Sequence, residues 1–154
     1  MATTVDRVDE TQKLELTLTR DVKAPRNRVW RAWTDPDQLS EWFFPGDCSL
    51  VDPQFDVREG GSYRCCFRHH KGTDFWLRGI FEELVEPERL VFTHGWENEA
   101  GEVERDTRIT VHLTEQNGGT RISFRQSAFA SEESRASHEE GWGQVLDHLT
   151  AHLT

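Results

Sequence analysis

The residue types that most often carry out chemistry are present in this chain, but few of them have a spacing that indicates a reaction. His148 and His152 stand four residues apart, yet no nearby residue stands out as the third ligand that a zinc site needs. Nothing close to Cys65 in the sequence would lower its pKa and make it a nucleophile. The Gly-x-Ser-x-Gly motif of serine hydrolases is absent. We therefore assign no catalytic residue, no metal ligand and no cofactor, and the sequence favours binding over catalysis.

Aromatic side chains are the stronger signal. The chain has 6 Trp, 9 Phe and 1 Tyr, although its mean hydropathy is −0.73. Its apolar surface is therefore concentrated in a few large rings, which can fill a core or line a pocket. Alternation along the predicted strands places many of these rings on one face, beneath the C-terminal helix. The candidate ligand-binding residues are Trp42, Tyr63, Phe67, Phe75, Leu77, Phe92, His94, Trp96, Phe124, Gln126, Trp142 and Leu146.

Two of these candidates are polar. His94 and Gln126 each alternate with apolar residues along a predicted strand, so both are expected to face inward. A buried His or Gln needs a hydrogen-bond partner, which could be a ligand carbonyl or hydroxyl, or ordered water. The sequence leaves these alternatives open. Gly79, in phase with the same faces, lacks a side chain and would leave room or allow a bend.

The elements that must position these residues run in the order strand, two short helices, six strands and one long helix. Strict alternation over residues 14–19 predicts the first strand. Pro25 and Asp35-Pro36 mark two helix starts, the second with a capping box completed by Gln38. Short turns such as Asn117-Gly118 favour antiparallel pairing of the later strands. These six strands are predicted at 49–57, 62–70, 74–85, 89–96, 106–114 and 120–128.

The last helix is predicted to begin after Ser131, a good capping residue. Its apolar stripe consists of Trp142, Val145, Leu146, Leu149 and Leu153. Gly141 and Gly143 should each cost about 1 kcal/mol relative to Ala, which suggests a close approach of the helix to a bulky group. Such a stripe needs an apolar surface to cover, so we predict an α+β fold in which a curved antiparallel sheet wraps around this helix.

Composition excludes several classes of function. The chain has 28 acidic and 18 basic residues and a formal charge of −10, which disfavours nucleic acid and anionic membranes as partners. No apolar run approaches the ~18 residues of a membrane span. Three cysteines without a Cys-x-x-Cys motif favour a reducing compartment, so we expect a cytoplasmic protein. The length predicts one domain, residues 13–154, after a disordered tail at 1–12 that lacks the apolar segment of a signal peptide.

An ordered set of short motifs covers nearly the whole chain and resembles a known superfamily. The motifs are Ala24-Pro25 with Val29-Trp30, Thr34-Asp35-Pro36, Trp42-Phe43, Pro45-Gly46, Asp56-Val57-Arg58, Gly60-Gly61-Ser62-Tyr63, Gly79, the segment from Glu86 to Thr93, Gly119-Thr120-Arg121, and the segment from His138 to Trp142 with Leu146 and Leu149. They resemble the START-like (Bet v 1-like, helix-grip) superfamily, and within it the family related to the activator of the heat-shock protein 90 ATPase. The resemblance implies a β-α-α-β6-α fold with a deep cavity between the sheet and the last helix.

The resemblance implies no single function, because such proteins include binders of hydrophobic ligands, cyclase-like or hydrolase-like enzymes, and co-chaperone domains. Our first hypothesis is non-catalytic binding of a hydrophobic or amphipathic small molecule, such as a lipid, in the cavity. The alternatives are an enzyme that uses the same cavity, and a module that activates or binds a chaperone. We expect a monomer or weak dimer whose partner is a hydrophobic ligand and, in the third case, a chaperone.

Overall fold

The structure, a computed structural model, describes residues 14–154. This part of the chain forms seven strands and three helices in the predicted order. The predicted disordered tail at 1–12 lies outside the described residues. The elements are β1 (Leu16–Val22), α1 (Arg26–Thr34), α2 (Pro36–Trp42), β2 (Cys48–Phe55), β3 (Ser62–His69), β4 (Asp74–Val85), β5 (Arg89–Trp96), β6 (Thr107–Gln116), β7 (Gly119–Ser127) and α3 (Glu132–His152).

The seven strands form one curved antiparallel sheet in the order β1-β7-β6-β5-β4-β3-β2. Successive strands from β2 to β7 are neighbours, as their short turns predicted, and β1 closes the far edge against β7. The register shifts between Phe81 and Glu83 in the β4–β5 pair and between Val51 and Gln54 in β2. Such irregularities bend strands and increase their twist, which helps the sheet to curl around α3. The predicted α+β helix-grip fold is confirmed.

The two short helices fill one end of the curled sheet. The Asp35 carboxylate accepts a hydrogen bond from the Asp37 N–H at 3.0 Å and so caps α2, with Pro36 in the first position. The capping box is not completed, because the Asp35 N–H already donates to the Arg31 carbonyl at the end of α1. The Gln38 side chain instead lies 3.2 Å from the Nε2 atom of His152 in α3.

The C-terminal helix begins as predicted, with the Ser131 hydroxyl accepting a hydrogen bond from the Ser134 N–H at 3.1 Å. Its apolar stripe is buried against the sheet. Arg20 of β1 reaches the opposite side of the helix, where it donates to the Asp147 carboxylate at 3.3 Å and the Gly143 carbonyl at 3.4 Å. The close approach predicted at Gly141 is absent, because a Cβ atom built there would have nothing within 4 Å.

Candidate functional site

A cavity of about 390 Å³ lies between α3 and one end of the sheet. It is lined by Pro45, Cys48, Phe67, Phe75, His94, Trp96, Ser137, His138, Gly141, Trp142 and Val145. Most of these side chains are apolar or aromatic. Among the described residues that line the cavity none is a Lys, Arg, Asp or Glu. Its size falls within the ~300–1,000 Å³ that is usual for small-molecule sites.

The sheet topology explains how the wall of the cavity is assembled. Strands β3, β4 and β5 are neighbours, and the end of β3 meets the start of β4 in the pair Phe67 and Phe75. The end of β5 joins them through the pair Leu77 and Trp96. From the other side, α3 contributes residues spaced so that they share one helical face, from Ser137 to Val145. The strand ends and the helix face therefore enclose the space between them.

Trp96 organises the mouth of the cavity. Its ring centroid lies 5.9 Å from that of Phe67, 6.3 Å from that of Phe75 and 5.1 Å from that of His94, each with an edge-to-face orientation. Trp96 is 36% exposed and Phe75 is 44% exposed, although both belong to the aromatic wall. Large apolar surfaces that remain in contact with water at a cavity mouth are typical of a binding site rather than of a closed core.

The polar groups of His138 are fully used within the protein. Its Nε2 atom accepts a hydrogen bond from the Trp96 indole N–H at 2.8 Å. Its Nδ1 atom lies 2.7 Å from the Ser134 carbonyl oxygen and must carry the proton, since a carbonyl can only accept. Burial lowers the pKa of His138, while the hydrogen bond to Ser134 opposes that shift. The neutral ring therefore holds Trp96 in place across the cavity mouth.

His94 is buried more deeply and is less well satisfied. It is 2% exposed, and its Nδ1 atom has no hydrogen-bond partner among the described residues. Burial, together with the neighbouring His138, lowers the pKa of His94 to about 3, so the ring is neutral at physiological pH. Its own backbone carbonyl accepts from the Thr107 hydroxyl at 2.9 Å, and that hydroxyl accepts from the Gln126 side-chain amide at 2.8 Å. This chain of hydrogen bonds holds the His94 backbone in place.

A second cavity, of about 280 Å³, shares His94, Trp96 and His138 with the first. Its remaining lining residues are more polar: Glu97, Asn98, Glu104, Arg105, Thr107, Ala130 and Ser134. The Arg105 guanidinium donates to the Ala128 carbonyl at 2.6 Å. The three shared residues thus border both an apolar cavity and a polar one.

The structure divides the twelve predicted site residues into three groups. Five line the apolar cavity: Phe67, Phe75, His94, Trp96 and Trp142. Three belong to a closed region in which the aromatic rings meet and leave a void of only about 10 Å³. Tyr63 and Phe92 border this void, and Trp42 packs beside it against Trp33. Four are buried in the core without lining the cavity: Leu77, Phe124, Gln126 and Leu146.

Gly79 explains part of this division. A Cβ atom there would clash with the Thr93 backbone carbonyl and come within 2.6 Å of the Tyr63 ring, so the neighbouring strand and Tyr63 occupy the space beside Gly79. The Tyr63 hydroxyl donates to the Thr93 carbonyl at 2.7 Å, which fixes the ring over β4 and β5. The room expected beside Gly79 is therefore filled from within the protein.

Sequence reasoning missed six of the lining residues: Pro45, Cys48, Ser137, His138, Gly141 and Val145. His138 stands one helical turn before Trp142, and this spacing could have identified it. Pro45 and Cys48 carry no comparable signal, because the connection after α2 and the first residue of β2 reach the cavity only through the tertiary fold. Burial raises the pKa of the Cys48 thiol, which fits a wall residue better than a nucleophile.

The histidines considered as metal ligands have other contacts. His148 Nδ1 lies 2.7 Å from the Phe44 carbonyl oxygen, and His152 contacts Gln38 of α2. Within residues 14–154, no three His, Cys, Asp or Glu side chains converge as a metal site would require. None of the helices described there has the length and apolar composition to cross a membrane.

Comparisons with known proteins find a family and several similar structures. The family described as "Activator of Hsp90 ATPase homolog 1-like protein" matches residues 23–154. Protein CV1439 from Chromobacterium violaceum is 27% identical, with a TM-score of 0.83 over 92% of this chain and 97% of that one. Protein NE0264 from Nitrosomonas europaea is 28% identical, with a TM-score of 0.76 over 92% and 94%.

A more distant match shows the same fold. The AHSA1 protein from Silicibacter pomeroyi is 21% identical, with a TM-score of 0.82 over 90% of this chain and 96% of that one. No curated protein is significantly similar to the chain.

Proposed function

The chain belongs to the family of activator of Hsp90 ATPase homolog 1-like proteins, and on this premise we propose that it binds an apolar small molecule in the cavity beneath α3 without transforming it. The observation that carries the proposal is the cavity itself, about 390 Å³ of space walled by four large aromatic side chains, of which Phe75 and Trp96 are partly exposed. The fold and the family are those of ligand-binding or activator-type proteins.

Apolar burial supplies the driving force for such binding. A ligand that buries ~300 Å² of apolar surface gains about 7 kcal/mol at ~25 cal/mol per Å² before the costs of association are subtracted. Micromolar affinity corresponds to about 8 kcal/mol. Contacts with the rings of Phe67, Trp96 and Trp142 add to the area term. Because the costs of association must still be subtracted, the expected dissociation constant lies between micromolar and submillimolar order.

The two histidines favour binding over catalysis. A general base works best when its pKa lies near the operating pH, whereas burial lowers the pKa of His94 to about 3. His138 has both ring nitrogens engaged, one with Ser134 and one with Trp96. Neither ring is therefore poised to accept a proton from a bound substrate. An enzyme that uses this cavity remains the alternative, and turnover abolished by His94→Ala would favour it.

A chaperone-binding module is the other alternative, and it is supported by the family name. The exposed large apolar residues of the described chain are Phe75, Ile80, Val85 and Trp96. Phe75 and Trp96 belong to the cavity mouth, so the cavity already accounts for part of this apolar surface. We therefore prefer the small-molecule site.

Gly141 provides the sharpest test. It lines the cavity, and a Cβ atom there would have nothing within 4 Å, so Gly141→Leu places a side chain in the empty space without a backbone clash. The probe is N-phenyl-1-naphthylamine, an uncharged dye whose fluorescence rises in apolar surroundings. We expect the natural chain to bind the dye with a dissociation constant between micromolar and submillimolar order, and Gly141→Leu to weaken that affinity at least about tenfold.

Gly143→Ala is the matched control. It removes a glycine from the same helix, but on the side that faces Arg20 at 3.9 Å rather than the cavity. This variant should bind the dye as the natural chain does. If the natural chain does not bind the dye, or if both variants affect its affinity equally, the proposed site is wrong.

A further inference from the structure

The unpaired Nδ1 atom of His94 is the feature of the cavity that the proposed function does not yet use. Buried polar atoms almost always have a hydrogen-bond partner, and an exception needs a reason. His94 is 2% exposed and lines the cavity. Among the described residues, the aromatic rings that its imidazole meets are those of Trp96, His138 and Trp142, each edge-to-face. This atom has almost no accessible surface, so a small shift of the neighbouring rings must accompany a hydrogen bond from a ligand. A polar atom held in this way is suited to a partner that arrives with the ligand.

The other polar groups of the cavity are less suited to that role. Both ring nitrogens of His138 are engaged by Ser134 and Trp96. Ser137 is exposed at the rim, where water can satisfy its hydroxyl. Cys48 offers only a thiol, which is a weak donor and acceptor. His94 is therefore the strongest hydrogen-bonding group that a bound molecule would meet in the interior.

The charge of the cavity limits what that molecule can be. The residues that line it in the described chain include no Lys or Arg to pair with an anion and no Asp or Glu to pair with a cation. Burial keeps His94 neutral by lowering its pKa, and the Trp96 N–H bond requires an unprotonated Nε2 atom on His138. Transfer of a charged group into such surroundings without a counter-charge is strongly unfavourable.

The shape of the wall restricts the apolar part of the ligand. The rings of Phe67, Phe75 and His94 all meet Trp96 edge-to-face, at interplanar angles of 71°, 75° and 85°. Flat aromatic ligands can stack on some of these rings while presenting their edges to others, and aromatic pairs prefer such arrangements.

Resting on the proposed function, we propose that the cavity takes an uncharged aromatic molecule with a single hydroxyl or carbonyl group, and that the His94 imidazole hydrogen-bonds this group. A neutral imidazole can serve both kinds of group, because one ring nitrogen donates and the other accepts. The aromatic body then lies against Trp96 and Trp142, while the polar group points to His94.

Three small probes test the proposal by titration calorimetry at pH 7.5: naphthalene, 2-naphthol and 2-naphthoate. They share one aromatic body and differ only in the polar group. Each is measured with the natural chain, with His94→Phe and with His112→Gln, a control at an exposed histidine on β6. The key quantity is the ratio of the naphthalene and 2-naphthol dissociation constants, because comparison across the variants cancels the different hydration of the probes.

We expect this ratio to be about fivefold larger in the natural chain than in His94→Phe, and unchanged in His112→Gln. A ratio that is the same in all three proteins overturns the role of His94. If His94→Phe does not fold, as judged by circular dichroism, the natural chain still decides the question of charge. In that protein 2-naphthoate should bind at least about tenfold more weakly than 2-naphthol.

Tightest binding of 2-naphthoate would overturn the proposal and would point to a carboxylate that reaches the polar cavity beside Arg105. These failures differ from failure of the proposed function. If the proposed function is wrong, N-phenyl-1-naphthylamine does not bind either. If only the inference about His94 is wrong, the natural chain still binds this dye and Gly141→Leu still weakens its binding.

Discussion

The interior has two ends that are built from the same kind of residue, yet one is filled and the other is hollow. In the closed region, the rings of Trp33 and Trp42 meet at 4.6 Å, and Phe43 packs within about 6 Å of Phe55 and Tyr63. The void there is about 10 Å³. In the open region, under Trp142 and beside Trp96, the cavity is about 390 Å³.

The difference comes from what covers each end. Trp33 of α1, Trp42 of α2 and Phe43, directly after α2, all enter the closed region. Large side chains therefore enter it from both the helices and the sheet. Over the open region, α3 presents the small residues Gly141 and Ser137 beside the larger His138 and Trp142, and the two small residues leave space that no strand residue fills. A high content of aromatic residues thus does not decide between a core and a pocket. The decision depends on the size of the residue opposite each ring.

The largest expected contrast is between the two buried tryptophans. Trp42 is 0% exposed, and its indole N–H donates to the Ala32 carbonyl at 2.9 Å. Trp42→Ala creates a new cavity in tightly packed surroundings and should lower the free energy of unfolding by about 3–5 kcal/mol. Trp142 is 5% exposed but already borders empty space, so Trp142→Ala should cost roughly 3 kcal/mol or less.

Denaturant unfolding of both variants measures this contrast. The order should be reversed for the affinity for the dye, which should fall more in Trp142→Ala than in Trp42→Ala. Equal losses of stability would mean that the open region is packed as tightly as the closed one.

The second contrast concerns pH. His94 belongs to the open region, and its folded-state pKa of about 3 lies below its ordinary value of 6.5. The unfolded chain therefore binds more protons below pH 6.5, and stability falls with decreasing pH from about 6.5 toward 3. Between pH 7 and pH 5, this one group should remove about 2 kcal/mol from the free energy of unfolding. His138, whose pKa is also lowered by burial, acts in the same direction.

The titration of carboxylates contributes little to the change in the free energy of unfolding between pH 5 and pH 7. Glu97 and Glu132 have pKa values lowered by their Arg partners, so they lose stabilisation only as pH falls below their ordinary value of 4.5. Denaturation curves at pH 5, 6 and 7 test the prediction. The change in the free energy of unfolding between pH 7 and pH 5 should be smaller in His94→Gln and unaltered in His112→Gln. An unaltered change in His94→Gln would contradict a buried, neutral His94 ring.

The smallest expected effects concern the two glycines of α3. Gly141→Ala and Gly143→Ala should each raise the free energy of unfolding by about 0.5–1 kcal/mol, because glycine weakens a helix interior. At Gly141 the new methyl group enters the cavity, whereas at Gly143 it lies 3.9 Å from the Arg20 guanidinium. Thermal unfolding measures both changes. Loss of stability at Gly141 would show that the space beside it is not open.

Much of the fold could be predicted because its signals are local. Alternation along Leu14, Leu16 and Leu18 and the caps at Asp35 and Ser131 depend on residues close in sequence, and the strand and helix order they predicted is confirmed. The incomplete capping box shows the limit of such signals. Gln38 has the expected spacing, but its side chain contacts His152, which is distant in sequence.

The amino-acid sequence by itself determined which faces of the strands and of α3 turn inward, because burial follows a period of two or of 3.6 residues. It therefore placed His94 and Trp142 in the interior, and Trp96 on the same strand face as His94 although it is 36% exposed. Only the tertiary structure decided that the rings around Tyr63 meet while those around Trp96 stay apart. The physical reason is that a void depends on the summed sizes of side chains from different elements, and the sequence does not state which side chains will face each other.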